Sequence, residues 1–328
     1  MDTHNRISGS AFLGLMFSMA VGACLLVLMA SIHAQWLARY RYLVAKAQLE
    51  ESRRVLLETF QPLLGNTGYM GCATGVSPPP VVMAKPPLAI IRRVAAYAAH
   101  ATGWVPPLPS GLNKVLPDSD VLEVMQALPC GGQLAAATSA TEAVLELSCP
   151  HQCDFSADDL VLLTACSHSH LLRIDSVQGC GVESARLVFS ATGNSSRLLC
   201  QHYDGNGSCA AGEQALIYPA HSQVLGWQSS LWFLRNASDG SPSLWRFDTQ
   251  RPAGGDNPAE WMTGVEKLQL RFAVADQPFS ASFAGFAADQ VTDWGVVSAI
   301  AMHVSLRSSD GALHLAFTLM TPLRNPAP

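Results

Sequence analysis

Residues 10–32 carry no charged side chain, and nearly every position is apolar or small. At ~1.5 Å of rise per helical residue such a run covers ~30 Å, the depth of a bilayer's hydrocarbon core, so it is expected to cross a membrane. Beyond it the pattern turns amphipathic. Trp36, Tyr40, Leu43, Val44, Ala47, Val55 and Phe60 recur at helical spacing, with Arg39, Arg41, Lys46, Glu50, Glu51, Arg53 and Arg54 between them. The two patterns join without a breaker, which predicts one helix over residues 10–62, ~75 Å long, half in lipid and half laid against a folded domain. A secretory signal peptide fits poorly, because its apolar core is shorter and residues 32–34 make a weak cleavage site. A plain, unprocessed anchor is the simplest alternative.

After Pro62 the rhythm becomes that of loops and strands. Proline-rich stretches at 76–87 and 106–109 read as loops, with a short helix expected over 88–100. Alternation then predicts a hairpin of 160–164 with 171–177 across Ser167-His168-Ser169-His170, and a second of 232–235 with 244–247. Leu268, Leu270, Phe272 and Val274 present one buried face. Ile300, Met302, Val304 and Leu306 pair with Leu313, Leu315, Phe317 and Leu319 across Ser308-Ser309-Asp310-Gly311. Roughly 260 residues is within the reach of one β-rich domain. The expected fold class is α+β: a long N-terminal helix packed by its outer half on an antiparallel sheet.

Several segments resemble a known family. The start of the helix, aligned on Ser18-Met19-Ala20-Val21-Gly22, resembles type IV pilins with a class III leader. Gly68-Tyr69-Met70-Gly71-Cys72, the strand Asp158-Asp159-Leu160-Val161-Leu162-Leu163-Thr164-Ala165-Cys166, Pro242-Ser243-Leu244-Trp245-Arg246, Gly264-Val265-Glu266-Lys267-Leu268-Gln269, residues 294–307 and Leu323-Arg324-Asn325 resemble the PilW-type minor pilins in order and spacing. The resemblance implies a leader over 1–9, prepilin peptidase cleavage between Gly9 and Ser10, N-methylation of Ser10, a membrane half at 10–32 and a periplasmic head over 63–328. It also implies a role in priming assembly of the pilus. The partners are then other minor pilins, the major pilin, the peptidase, the inner-membrane assembly platform and a PilY-type tip adhesin. A type II secretion pseudopilin of the same shape is a close rival, and a membrane-anchored periplasmic hydrolase or binding module a more distant one.

One position departs from the family. Most type IV pilins carry glutamate as the fifth mature residue, and here that position is Gly14. A carboxylate in hydrocarbon costs several kcal/mol (roughly 2.5–3.5 for Asp at a helix centre) and is kept for function. Its absence is expected at the filament tip, with drift as the alternative. Ser10, Gly14, Ser18 and Gly22 follow at four-residue steps and form a ridge on which neighbouring helices can pack closely, although such residues are common in membrane helices generally. Cys24, in the same span, is expected to be a buried, reduced thiol.

Charge and cysteines pull in opposite directions on topology. Arg39, Arg41 and Lys46 after the span outweigh Arg6 before it, which would keep the head in the cytoplasm. Eight cysteines beyond the span, Cys72, Cys130, Cys149, Cys153, Cys166, Cys180, Cys200 and Cys209, instead suit an oxidising compartment. The cysteines are followed here: inner membrane, single pass, periplasmic head. Cys200 and Cys209 bracket a turn-rich segment and read as a local pair, while Cys153 and Cys180 fall near one end of the first hairpin.

Candidate chemistry is thin. Cys149-Pro150-His151-Gln152-Cys153 and Cys166-Ser167-His168-Ser169-His170 have spacings zinc could use, but disulfides are the stronger reading. Asp204-Gly205-Asn206-Gly207-Ser208 starts like a calcium loop, yet its twelfth position is Ala215, so a tight turn is expected. Ser167, His168 and Asp175 could be assembled into a nucleophile set, but residues on a hairpin tip are usually solvated. No catalytic residue, metal or cofactor is assigned. The five tryptophans of the head, Trp227, Trp232, Trp245, Trp261 and Trp294, read by default as core. With a net charge of −5 and scattered arginines, no basic face for nucleic acid emerges.

Overall fold

The computed structural model describes residues 5–72, 80–85, 94–109, 112–179, 184–249, 257–274 and 285–323, with helix side chains from Phe12 onward. The rest of the expected leader, residues 1–4, residues 76–79 and 86–87 of the first proline-rich stretch, residues 88–93 of the expected short helix, Cys180 and the Arg324-Asn325 pair lie outside these residues. The first proline after residue 5 is Pro62, so an uninterrupted hydrogen-bond ladder is possible up to there. α1 (Asn5–Gly65) uses all of it: 61 residues, ~90 Å at ~1.5 Å per residue. Pro62 falls in the last turn, and the end is closed by Asn66 N donating to Pro62 O (2.9 Å) and Thr67 Oγ1 donating to Leu63 O (2.9 Å).

The head is built from strands. In order they are β1 (Val81–Val82), β2 (Val94–His100), β3 (Gly103–Val105), β4 (Val121–Gln133), β5 (Val144–Ser148), β6 (Leu160–Thr164), β7 (Ser169–Arg173), β8 (Ser176–Gln178) and β9 (Ser184–Val188). Then come β10 (Gln223–Asn236), β11 (Pro242–Asp248), β12 (Ala259–Thr263), β13 (Val265–Val274), β14 (Val297–Arg307) and β15 (His314–Pro322). They form three sheets where one was expected. A nine-stranded sheet runs β1-β7-β6-β10-β4-β2-β3, with β11 and β12 continuing from β10; the others are β13-β14-β15 and β5-β9-β8. Every pair is antiparallel except β1 on β7. β10 is the axis: its start pairs with Thr164 to Val161 of β6, and its end with β11.

The three expected hairpins form, the first with a shorter turn than expected: Ser169 and His170 belong to β7, and residues 174–177 lie beyond it. Leu160 faces Arg173 and Thr164 faces Ser169; Leu234 faces Leu244; Met302 faces Leu319, Val304 faces Phe317 and Leu306 faces Leu315. One expectation is overturned. Residues 94–100, read as the end of a short helix, are strand β2, with Val94 opposite Val124 and Tyr97 opposite Val121. Val94, Ala95 and Ala96 are almost fully buried against β4 and the helix. The alanine-rich run favours helix in isolation, and tertiary pairing overrides that preference.

The main core lies between α1 and two of the sheets. Leu49, Leu56, Phe60 and Leu64 meet Ala96, Leu122, Trp232 and Leu234 on one side and Leu268, Met302, Val304 and Leu319 on the other. Asp120 stitches those sheets together: its N–H donates to Leu268 O (2.9 Å), while its carboxylate accepts from Ala99 N (3.1 Å) and Leu270 N (2.8 Å). A second core, around Leu147, Leu163, Leu187 and Tyr218, fills the space between β6, β7 and the β5-β9-β8 sheet.

Candidate assembly helix and its seat on the head

α1 changes character at Ala45. From Phe12 to Val44 its large apolar side chains are exposed, including Phe17, Leu26, Met29, Trp36 and Tyr40. From Ala45 on, one face is buried through Ala45, Leu49, Leu56, Phe60 and Leu64. Among the described residues this is one helix long and apolar enough to cross a membrane, and that apolar portion touches nothing in the head. The expected amphipathic face therefore needs correction. Phe60 does pack on the head and Val55 is half-buried, but Trp36, Tyr40, Leu43, Val44 and Ala47 are exposed. At ~100° per residue they lie about 160° round the helix from the seated face, so the chain's own head cannot cover them.

Gly14, Ser18 and Gly22 of the expected ridge lie in the part of α1 that the head does not reach. A Cβ added at Gly14 or Gly22 would meet nothing within 4 Å, and Ser18 Oγ donates back to Leu15 O at 2.9 Å. Gly9 and Ser10, the expected cleavage junction, lie within the helical backbone of α1. Cys24 is a free cysteine, exposed rather than buried, because no protein element approaches it.

The seat is aromatic. Phe60, fully buried, stands edge-on to Trp232 (4.7 Å between centroids) and Trp261 (6.0 Å), which are themselves 5.4 Å apart. Such pairs add ~0.5–1.5 kcal/mol beyond the area they bury. Trp227 and Trp294 are buried as well, whereas Trp245 and Trp261 are partly covered. On its exposed flank α1 carries Glu50–Arg53 (3.3 Å) and Arg54–Glu58 (2.8 Å), surface pairs of small energetic weight.

The helix exit is locked next. Gly68 N donates to Met125 O (3.1 Å) and Ala127 N to Tyr69 O (3.0 Å), so the exit segment runs beside β4. Gly71 has φ +72°, and a Cβ there would sit 2.5 Å from Gln223 Oε1 and 2.8 Å from Thr164 Cγ2; only glycine fits. Cys72 N donates to Gln223 Oε1 (3.0 Å), and the Cys72–Cys166 disulfide ties the exit to the tip of the β6–β7 hairpin. Cys130 joins Cys153, and Cys200 joins Cys209; Cys149 is also disulfide-bonded. Cys153 is thus held by Cys130 of β4.

The remaining candidates resolve into structure. Cys153 and Cys166 sit in disulfides, and among the described residues no group of three or more His, Cys, Asp or Glu is placed to hold a metal ion. Asp204 Oδ1 accepts from Asn206 N (2.9 Å) and Ser208 N (2.8 Å), making the tight turn. Ser167 Oγ lies 2.9 Å from His168 Nδ1, but Asp175 is beyond the far end of β7 and His168 Nε2 has no hydrogen-bond partner. His170 is fully buried, with Nδ1 at 2.6 Å from Tyr218 Oη and Nε2 at 2.9 Å from Cys200 O. Burial lowers its pKa to about 4, against the raising effect of the Cys200 carbonyl. Burial likewise pushes the Tyr203 phenol up to about 12 and raises that of Tyr218. Tyr203 Oη accepts from Cys200 N (2.8 Å) and donates to Leu198 O (2.8 Å), so this cluster braces the Cys200–Cys209 loop.

The chain thus has one long N-terminal apolar helix followed by a β-rich head of antiparallel sheets, the layout of a single-pass anchored protein. Comparison with protein-family models, with curated proteins and with solved structures finds no match. Sequence reading missed the division of α1 at Ala45 and the Phe60–Trp232–Trp261 cluster. The tryptophan content was the available signal, but partners 172 and 201 positions downstream of residue 60 leave no local spacing to read.

Proposed function

We propose that the chain is a PilW-type minor pilin that helps prime type IV pilus assembly, and that it is not an enzyme. The observation that carries this reading is the single 61-residue helix, apolar and exposed from Phe12 to Val44 and seated on the head by one face from Ala45 on. The exposed half, which carries the Gly14–Ser18–Gly22 ridge, Trp36 and Tyr40, is left open for neighbouring helices, as a subunit moving from bilayer to filament requires. The disulfides support a periplasmic head. With Gly14 in place of glutamate, the subunit sits at or near the filament tip, beside other minor pilins and a PilY-type adhesin. Deleting the gene in its native bacterium is expected to strip surface pili, with restoration by the wild-type copy. Normal piliation combined with lost protein secretion would instead assign the chain to a type II secretion system.

A further inference from the structure

The three-stranded sheet has two edges, and they are treated differently. On β13 the open side is filled: Asp120 bonds Leu268 O and Leu270 N, and Phe286 exchanges two 2.9 Å hydrogen bonds with Phe272. On β15 it is bare among the described residues. Ser308 N donates to Leu313 O (2.9 Å) and Leu323 N to Ser298 O (2.8 Å), which fixes the phase of the β14–β15 ladder at both ends. Bonded positions alternate in an antiparallel pair. Leu315, Phe317, Leu319 and Thr321 therefore bond β14, while Ala316, Thr318 and Met320 aim their N–H and C=O groups away from the sheet.

Other described edges are blunted in the ways that prevent chance pairing. β1, β3 and β8 have three residues or fewer. β12 is short, carries Glu260 and meets β11 through a register shift. β5 is bridged by Leu134 and by Ala135 N donating to Glu146 O (2.8 Å). β15 has nine residues, no Asp, Glu, Lys or Arg, and no register shift against β14. Ala316 and Thr318 are exposed.

We propose that β15 is the docking edge for an extended strand of a different polypeptide, which joins the β13-β14-β15 sheet as its fourth strand. The neighbouring side chains set its pattern. One face of β15 is apolar and lies under α1, with Phe317 beneath the Arg53 guanidinium at 5.7 Å; the other carries Ala316 and Thr318. The incoming strand therefore alternates apolar residues toward α1 with polar residues away from it. A second copy docked about a two-fold axis would place its α1 on the same sheet face but pointing the opposite way, and two such helices cannot enter one bilayer in the same direction. Excluding the second copy rests on α1 being membrane-inserted; the rest of the proposal does not.

The test uses the full chain in nanodiscs and a synthetic peptide copying residues 297–307, a strand β15 already accepts on its other edge. Hydrogen exchange at Ala316, Thr318 and Met320 is expected to slow at least ~10-fold with this peptide but not with its scrambled version. Ala316→Pro removes an amide that bonds nothing within the chain, so the head keeps its melting temperature while peptide affinity falls at least ~10-fold. Should that variant misfold, Thr318→Lys gives the same readout. Unchanged exchange at millimolar peptide, equal protection by the scrambled peptide, or undiminished binding by the variants would overturn the proposal. Edge protection that appears without peptide and grows with chain concentration would assign β15 to a second copy and overturn it too. A chain found with its leader intact would leave each of these results standing, so failure of the pilin reading and failure of the docking edge are distinguishable.

Discussion

Phe60→Ala will destabilise the head by about 3–5 kcal/mol, the usual cost of truncating a fully buried phenylalanine. Phe60 has no exposed surface and closes the contact between α1 and two tryptophans, Trp232 and Trp261. Two edge-to-face pairs are lost, and a cavity opens that the β-sheet on one side and the helix on the other hold apart. Phe12→Ala is the matched control: Phe12 is 64% exposed, so stability should move by no more than about 0.5 kcal/mol. Denaturant unfolding of the full chain in detergent, with disulfides intact, reads both. Equal small effects would mean that α1 is not seated on the head in solution.

Acidification gives the second large effect. Histidine ordinarily titrates near 6.5, and burial holds His170 to about 4 in the folded chain. Below pH 6.5 the unfolded chain therefore binds a proton that the folded chain refuses. The sign follows: the contribution of this site is fully present above pH 6.5 and is lost as the pH falls toward 4. At ~1.4 kcal/mol per unit the loss amounts to roughly 3 kcal/mol. The groups facing the ring are Tyr218 Oη, the Cys200 carbonyl and His168, and burial lowers His168 as well, in the same direction. Melting temperatures at pH 7 and pH 4.5 should fall apart for the wild type and draw together for His170→Gln, which keeps a hydrogen-bonding side chain without the titration. An unchanged difference in the variant would place the acid sensitivity elsewhere.

Local patterns were legible where local rules decide. The strands that carry Met302, Val304 and Leu306 and, across one turn, Leu315, Phe317 and Leu319 follow from alternation, while their register, with Met302 opposite Leu319, came only with the fold. The continuity of α1 follows from the absence of proline before Pro62. Residues 94–96 failed because alanine's helical preference is weak beside the burial gained against β4. The face of α1 from Trp36 to Ala47 was readable as apolar, but which element covers it depends on where the head stands, and the head reaches the helix only at Ala45. Asp120 and the bare edge of β15 were invisible for the same reason. Asp120 acts on Ala99, Leu268 and Leu270, and an edge exists only once a sheet is complete. At the candidate site the apolar span and the junction residues came from the sequence, while the aromatic seat required the fold.

The central claim is that α1 is a processed assembly helix. It is tested most directly by the intact mass and N-terminal peptide of the chain recovered from its native bacterium. The account predicts a mature chain beginning at Ser10 with a methylated amine. A chain still beginning at Met1 would contradict it.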